Sequence, residues 1–211
     1  RLSSAPVRNF LDVGCGCGDL AFGVAAVSGG AVAGLDTDAG MVDRASKAGA
    51  GDFVVASAVD RHEAFRGRFD LIAAFEVLEH VPADTHADVL DAFRFYAKPG
   101  AVGAIMVPNA AHPILGGWLA WSDYTHKAFF TAESLSQFLR TNGVFRAAVL
   151  PWYSAGGPAL LKAREAFGRA AGFALKAAVA AFSTIPGKTD PWVDDPFPMS
   201  SHLIAVFEIP T

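Results

Sequence analysis

Hydrophobic residues in this chain fall into short runs that alternate with segments of helical periodicity. Residues 69–75, FDLIAAF, are almost wholly apolar, as is typical of a strand buried on both faces of a sheet. Seven strands are predicted, at residues 10–13, 31–35, 52–56, 69–75, 101–107, 144–152 and 202–209. Between them, helices are predicted at residues 20–28, 38–47 and 83–97, and from a cap at Thr131 to a stop at Asn142.

This alternation predicts an α/β fold, a doubly wound parallel sheet with helices on both faces. Ligands of such sheets bind outside the carboxyl ends of the strands. The chain has 211 residues and 52% hydrophobic composition, enough for one well-buried domain spanning residues 1–211. The polar and aromatic residues that fall at the strand ends are Asp12, Asp36, Ser57, Phe75, Glu76 and Asn109.

The region between the last two predicted strands is longer than this fold requires. Residues 156–198 form an insertion, with a helix predicted at 159–182 and a proline-rich second half. The polar side of that helix is basic, with Lys162, Arg164, Arg169 and Lys176. Two interpretations stay open: peripheral contact with a membrane surface, or packing over the pocket of its own domain or of a homodimer partner.

The candidate chemistry begins at the first strand, which runs into three glycines at alternate positions, Gly14, Gly16 and Gly18. Such a loop turns tightly and allows a ligand close to the backbone. The second strand ends at Asp36, 18 positions after the last glycine, where a nucleotide-binding unit carries its ribose-binding acid. Neither the dinucleotide fingerprint nor a P-loop is present. Asp12 would repel a pyrophosphate but suits a cationic ligand.

The pattern D-x-G-x-G-x-G followed by a second acid resembles motif I of class I S-adenosylmethionine-dependent methyltransferases. The segments EVLEH, YAKPGA and DYTHKAFF are similar to a bacterial branch that includes ubiquinone-pathway O-methyltransferases and glycan and secondary-metabolite enzymes. This resemblance covers about residues 9–152 and the last strand. It implies a Rossmann-like, mostly parallel seven-stranded sheet and S-adenosylmethionine as the cofactor.

By the same resemblance, the methionine moiety faces Asp12 and the glycine loop, including Cys15, and Asp36 takes the ribose with Thr37 beside it. The remaining predicted cofactor residues are Met41, Ser57, Ala58, Phe75 and Glu76. Ser57 and Ala58 stand where the family often has an acid near the adenine. The Ser57 hydroxyl, the backbone or Asp60 then holds the adenine amino group. Met41 either covers an adenine face or belongs to the helix core.

The resemblance indicates methyl transfer to a hydroxyl oxygen of a small molecule, a sugar or a lipid-linked precursor. The alternatives are N- or C-methylation of a small metabolite, or a binding module without turnover. The N/D-P-P-Y/F signature of many N-methyltransferases is absent, since the chain has Phe75-Glu76-Val77-Leu78 at that place. Oxygen is therefore the favoured acceptor atom.

An oxygen acceptor calls for a general base, and His80, His112 and His126 are the candidates. His126 is the predicted catalytic residue, oriented by Asp123; otherwise it anchors its loop. His112 is interpreted as a turn residue. The predicted acceptor-binding residues are His80, Asn109, Trp118, Trp121 and Tyr124, and the tryptophans either line an apolar site or pack onto the sheet.

Composition narrows the partners and the compartment. The net charge is −4 without a basic run, which argues against nucleic acid. No apolar segment reaches the roughly 20 residues of a membrane span, and the first residues do not form a signal peptide. Cys15 and Cys17, two positions apart, make a poor zinc site, so no metal is predicted. We expect a cytoplasmic protein with reduced cysteines, with the inner membrane surface as the alternative location.

Overall fold

The fold is built on one seven-stranded sheet, seen in a computed structural model that describes residues 6–112, 115–152 and 200–210. The strands are β1 (Asn9–Val13), β2 (Ala31–Asp36), β3 (Asp52–Val55), β4 (Phe69–Phe75), β5 (Ala97–Pro108), β6 (Ala147–Trp152) and β7 (His202–Glu208). Their order is β3-β2-β1-β4-β5-β7-β6. β7 is antiparallel to β5 and β6, and the other pairs are parallel. The predicted Rossmann-like, mostly parallel sheet is confirmed.

Helices α1 (Asp19–Ser28), α2 (Ala39–Ala48), α3 (His86–Tyr96), α4 (Gly116–Trp121) and α5 (Ala132–Thr141) connect the strands. Local hydrogen bonds define where α2 and α5 begin. The Asp38 carboxylate accepts from the N–H groups of Gly40 and Met41. Thr131 and Ser134 cap α5 reciprocally.

The central strands are buried on both faces, as their apolar sequences require. Leu11, Ile72 and Ile105 are completely buried in three neighbouring parallel strands. Burying a side chain of this size stabilises the fold by about 1.5–3 kcal/mol relative to an exposed one. The rigid centre of the sheet therefore sets the positions of the loops that leave its carboxyl edge.

Several predicted boundaries differ from the observed ones. The helix expected at residues 83–97 begins with a short 3-10 turn, Ala83–Thr85, and ends at Tyr96, so that β5 starts at Ala97. No helix is predicted between residues 107 and 131, where the structure has α4. The insertion 156–198 with its predicted helix lies outside the described residues. Within the residues that the structure describes, no helix combines the length and the apolar character needed to cross a membrane.

Candidate active site

A cavity of about 450 Å³ opens at the carboxyl edge of the parallel strands. The loops after β1, β2, β3 and β4 line most of it, and the segment 80–85 and Lys127 complete the wall. The residues that line it are Gly14, Leu35, Asp36, Thr37, Ala56, Ser57, Ala58, Val59, Glu76, Val77, His80, Val81, Pro82, Thr85 and Lys127. Its position agrees with the general rule for ligands of open α/β sheets.

The glycine loop after β1 has a backbone that only glycine adopts without strain. Gly14, Gly16 and Gly18 have φ values of 76°, 51° and 85°. A Cβ on Gly14 would lie 2.3 Å from Cγ2 of Val77, whereas a Cβ on Gly16 would meet no atom within 4 Å. The loop thus packs tightly against the segment after β4 at one glycine and is open at the next.

Asp36 ties this loop to the end of β2. Its Oδ2 accepts from Gly16 N–H at 2.8 Å and its Oδ1 from Asp38 N–H at 2.9 Å. The side chain also lines the cavity. A carboxylate oxygen can accept two hydrogen bonds, so both oxygens of Asp36 retain capacity for ligand hydroxyls.

Asp12 in β1 and Cys15 in the glycine loop are both absent from the cavity wall. Asp12 is 2% exposed; burial raises its pKa to about 7, the Ala21 N–H opposes this and Asp36 adds to it. Burial, followed by the charges of Asp12 and Asp36, raises the pKa of Cys15 to about 12, so this thiol is neutral. Cys15 fills the space left by the missing side chain of Gly34.

Of the residues predicted to contact the adenine, some line the cavity and others lie outside its wall. Ser57 and Ala58 line the cavity, together with Thr37 at the end of β2. Asp60 accepts from Ser57 N–H at 2.7 Å, so its carboxylate shapes this turn. Met41 is not part of the cavity wall; its Sδ lies 3.3 Å from Cys17 Sγ.

The end of β4 has an unusual backbone. Phe75 packs against a hydrophobic cluster that contains Phe10, Ala21 and Val32. Glu76 is the one non-glycine residue with positive φ, 56°, in the part of the chain that the structure describes. Such strain costs of order 1–3 kcal/mol and is frequent at functional sites. Its carboxylate lines the cavity and lies 3.5 Å from His202 Nε2.

The histidines are arranged differently from the prediction. Asp123 Oδ1 accepts from both N–H and Oγ1–H of Thr125, at 2.8 and 2.7 Å, and Thr125 Oγ1 lies 2.9 Å from His80 Nδ1. Because the single hydroxyl hydrogen goes to Asp123, His80 Nδ1–H is the donor to Thr125. Its Nε2 is then an acceptor, and His80 lines the cavity.

Asp123 is therefore linked to His80 through Thr125, whereas the predicted orientation of His126 by Asp123 stays a prediction. His126 Nδ1 lies 3.1 Å from the Ala120 carbonyl oxygen, and its ring contacts that of His80 with centroids 4.7 Å apart. His126 is not in the cavity wall. His112 Nδ1 accepts from Leu115 N–H at 3.0 Å, consistent with its interpretation as a turn residue.

Glu79 is a functional candidate that the sequence reasoning missed. It is 1% exposed, and neither carboxylate oxygen has a hydrogen-bond partner. Burial, then the nearby charge of Glu76, raises its pKa to about 8. One ligand atom each of Glu79, His80 and His126 lie within 4.8 Å of one another, close enough to share a metal ion. The adjacent Glu79 and His80 in the segment EVLEH could have indicated such a site. The prediction of no metal considered only the two cysteines.

Asn109 lies outside the cavity wall. It is fully buried, donates to the Ser200 carbonyl at 3.0 Å and accepts from Ala111 N–H at 3.0 Å. Its amide thus joins the end of β5 to the segment before β7, and its role in acceptor binding stays a prediction.

The predicted aromatic acceptor residues are exposed and outside the cavity wall. Trp118, Trp121 and Tyr124 are 66%, 74% and 96% exposed. They do not pack onto the sheet. Trp121 stacks at an angle on Phe129, with ring centroids 4.7 Å apart, and Phe129 neighbours His126 at 6.4 Å. Trp121 and Phe129 thus form an aromatic surface next to the histidine pair, His80 and His126.

Residues 1–144 match the protein family described as a methyltransferase domain. A curated relative, the ubiquinone biosynthesis O-methyltransferase of Thiobacillus denitrificans, is 40% identical over 98 residues. That match covers 44% of this chain and 41% of the relative, so less than half of the relative's length is represented.

Solved structures share the fold at low sequence identity. A SAM-dependent methyltransferase from Archaeoglobus fulgidus is 15% identical with a TM-score of 0.64, and the match covers 95% of this chain and 86% of that one. A chain in the solved complex of the Haloferax volcanii Trm112 methyltransferase activator with a putative methyltransferase is 18% identical with a TM-score of 0.66. The coverage is 100% of this chain and 87% of that one.

Proposed function

The chain belongs to the methyltransferase domain family and is an S-adenosylmethionine-dependent methyltransferase, and from this premise we propose that it methylates a hydroxyl oxygen, with His80 as the general base. The hydrogen-bond chain from Asp123 through Thr125 to His80 in the cavity wall carries the proposal. The name of the curated relative, an O-methyltransferase, favours the same acceptor atom.

The residues present fit the cofactor. The open space at Gly16 would allow a ligand close to the backbone, and Asp36 would accept from the ribose hydroxyls. Ser57 and Ala58 would line the adenine, and Glu76 would face the cationic methionine moiety. The bound cofactor supplies a methyl group activated by its sulfonium sulfur. The chain has to hold the acceptor in line with that methyl and remove the hydroxyl proton.

His80 is suited to remove that proton. Its Nδ1–H is engaged by Thr125, and so the unprotonated Nε2 is available to the acceptor hydroxyl. Hydrogen bonds from Thr125, then the nearby histidines, hold the pKa of Asp123 below its usual range, so Asp123 stays anionic and stabilises the imidazolium that forms. His126 supports the His80 ring by edge-to-face contact.

A divalent cation is the second candidate for activating the hydroxyl. The buried Glu79 carboxylate without a hydrogen-bond partner favours it, since His80 and His126 lie within reach of the same ion. A cation bound by these side chains would lower the pKa of an acceptor hydroxyl directly.

Substitution of the two histidines separates the candidates. With His80 as base, we expect His80→Gln to lower kcat by about 10²–10⁴-fold while cofactor affinity in calorimetry is retained. His126→Gln should have a much smaller effect, and Thr125→Val should reproduce part of the His80 loss. Acceptors for the assay are a panel of phenols, sugars and lipid-linked hydroxyls with labelled cofactor.

If a divalent cation activates the hydroxyl, we expect a different outcome in the same assay. Treatment with EDTA would then abolish turnover, Mg²⁺, Mn²⁺ or Zn²⁺ would restore it, and Glu79→Gln would be as damaging as His80→Gln. Activity that survives EDTA excludes the cation, and wild-type kcat in His80→Gln excludes the base. Methylation found on nitrogen or carbon in the product overturns the choice of oxygen.

The exposed aromatic surface supports an apolar or planar acceptor. Trp121 and Phe129 connect it to the histidine pair, so an apolar part of the acceptor would lie on these rings while its hydroxyl reaches His80. This arrangement would suit a lipid-linked phenol better than a free sugar.

A further inference from the structure

Lys127 is a basic residue in the wall of the cavity. It is the only lysine or arginine in the cavity wall as described, which also contains the carboxylates of Asp36 and Glu76 and the imidazole of His80. The two carboxylates lie at the carboxyl ends of β2 and β4, at positions assigned to the cofactor. Lys127 instead follows His126 on the segment before α5. This segment contains none of the residues predicted to bind the cofactor.

The backbone holds Lys127 next to the base. The carbonyl oxygen of Glu79 accepts from Lys127 N–H at 2.7 Å and from Ala128 N–H at 3.2 Å. This carbonyl directly precedes His80 in the chain. The position of Lys127 relative to the proposed base is therefore set by two main-chain hydrogen bonds, although its side chain is exposed.

The ammonium group of Lys127 has no ion-pair partner within 4.0 Å among residues 6–112, 115–152 and 200–210. Lys47 and Lys98, by contrast, pair with Asp43 and Asp70 at 2.6 and 2.9 Å. A cation in a cavity wall without a protein counter-ion is available to an anionic ligand group.

We propose that Lys127 binds an oxyanion group of the acceptor, a carboxylate or a phosphate, while the acceptor hydroxyl faces His80. This inference rests on the proposed O-methyltransferase function and narrows its substrate class to hydroxylated acids. Neutral acceptors of the same shape would lack the ion pair and bind more weakly.

Matched acceptors test the charge requirement. The probes are 3,4-dihydroxybenzoate, 3,4-dihydroxybenzamide and 3,4-dihydroxyphenylphosphonate, which share the ring and the hydroxyls. We expect kcat/KM for an anionic probe to exceed that for the amide by about tenfold or more, mainly through KM. The better of the two anions identifies the group. Tenfold corresponds to about 1.4 kcal/mol.

Lys127→Gln should then reduce the ratio of anion to amide to about one, and Lys127→Arg should retain it. Lys47→Gln, which changes the net charge equally on α2, should leave the ratio unaltered. A wild-type ratio of one, or a ratio that Lys127→Gln does not alter, overturns the inference.

If no probe is methylated, the result counts against the proposed function. The role of Lys127 is then tested separately by the binding of an anionic probe. NMR line broadening of 3,4-dihydroxybenzoate measures that binding without turnover. Binding lost in Lys127→Gln but kept in Lys47→Gln supports the inference. Equal binding by wild type and Lys127→Gln overturns it, as does the absence of binding to wild type.

Discussion

The carboxylate of Asp36 connects the end of β2, the glycine loop and the cavity. It accepts two main-chain hydrogen bonds, from Gly16 and Asp38, and still faces the space assigned to the ribose. This double task explains why one acid at this position affects both the shape of the loop and the affinity for the ligand. Its chemistry depends on charge as well as on hydrogen-bond geometry.

We therefore expect Asp36→Asn to weaken binding of S-adenosylmethionine by about 10–100-fold, because an amide presents one acceptor oxygen where the carboxylate presents two. Calorimetry with the cofactor and its demethylated product measures this. Asp43→Asn, an exposed acid of α2, is the matched control and should bind as wild type does. Unchanged affinity in Asp36→Asn would refute the ribose assignment.

The glycine loop shows how one element combines packing and backbone strain. Gly14 and Gly16 both have positive φ, yet only at Gly14 would a side chain collide with Val77. A non-glycine residue in this conformation costs about 1–2 kcal/mol, and overpacking adds about 1–3 kcal/mol.

We expect Gly14→Ala to lower the free energy of unfolding more than Gly16→Ala does, as measured by urea denaturation. Adding Val77→Ala to Gly14→Ala removes the colliding methyl and should recover the packing part of the loss. Equal destabilisation by the two single substitutions, or no recovery in the double variant, would show that strain alone governs the loop.

The strands and the glycine loop were predictable because their signals are local. Apolar runs mark buried strands, and the 18-residue spacing to Asp36 follows from one strand-helix-strand unit. The partners of the histidines were not predictable in this way. His80 and Thr125 are 45 positions apart, so their hydrogen bond depends on how the loops after β4 and β5 meet in space.

At the scale of the whole molecule, buried acids make stability depend on pH. The pKa of Asp12 is raised from 3.8 to about 7, chiefly by burial. Between these values the folded state keeps a proton that the unfolded state has lost, so stability falls as pH rises through this range. The slope is about 1.4 kcal/mol per pH unit inside the window, and the loss is complete above the folded pKa.

The difference between wild type and Asp12→Asn isolates this contribution. We expect the wild type to lose stability relative to the variant between about pH 4 and 7, and the difference to level off above that range. Thermal unfolding at a series of pH values measures it, with about 2–4 °C in Tm for each kcal/mol. A difference that does not change with pH would show that Asp12 is ionised throughout.

The order of strands in the sheet also bears on how the chain folds during synthesis. β7 lies between β5 and β6, and Pro108 pairs with His202 across 94 positions of sequence. Among the residues that the structure describes, β6 has no other neighbour in the sheet, so its strand partner there is absent until β7 has left the ribosome. Until then β5 presents an open, apolar edge that other chains can pair with. A nascent chain that formed the first five strands before β7 emerged would therefore expose the edge of β5 to aggregation.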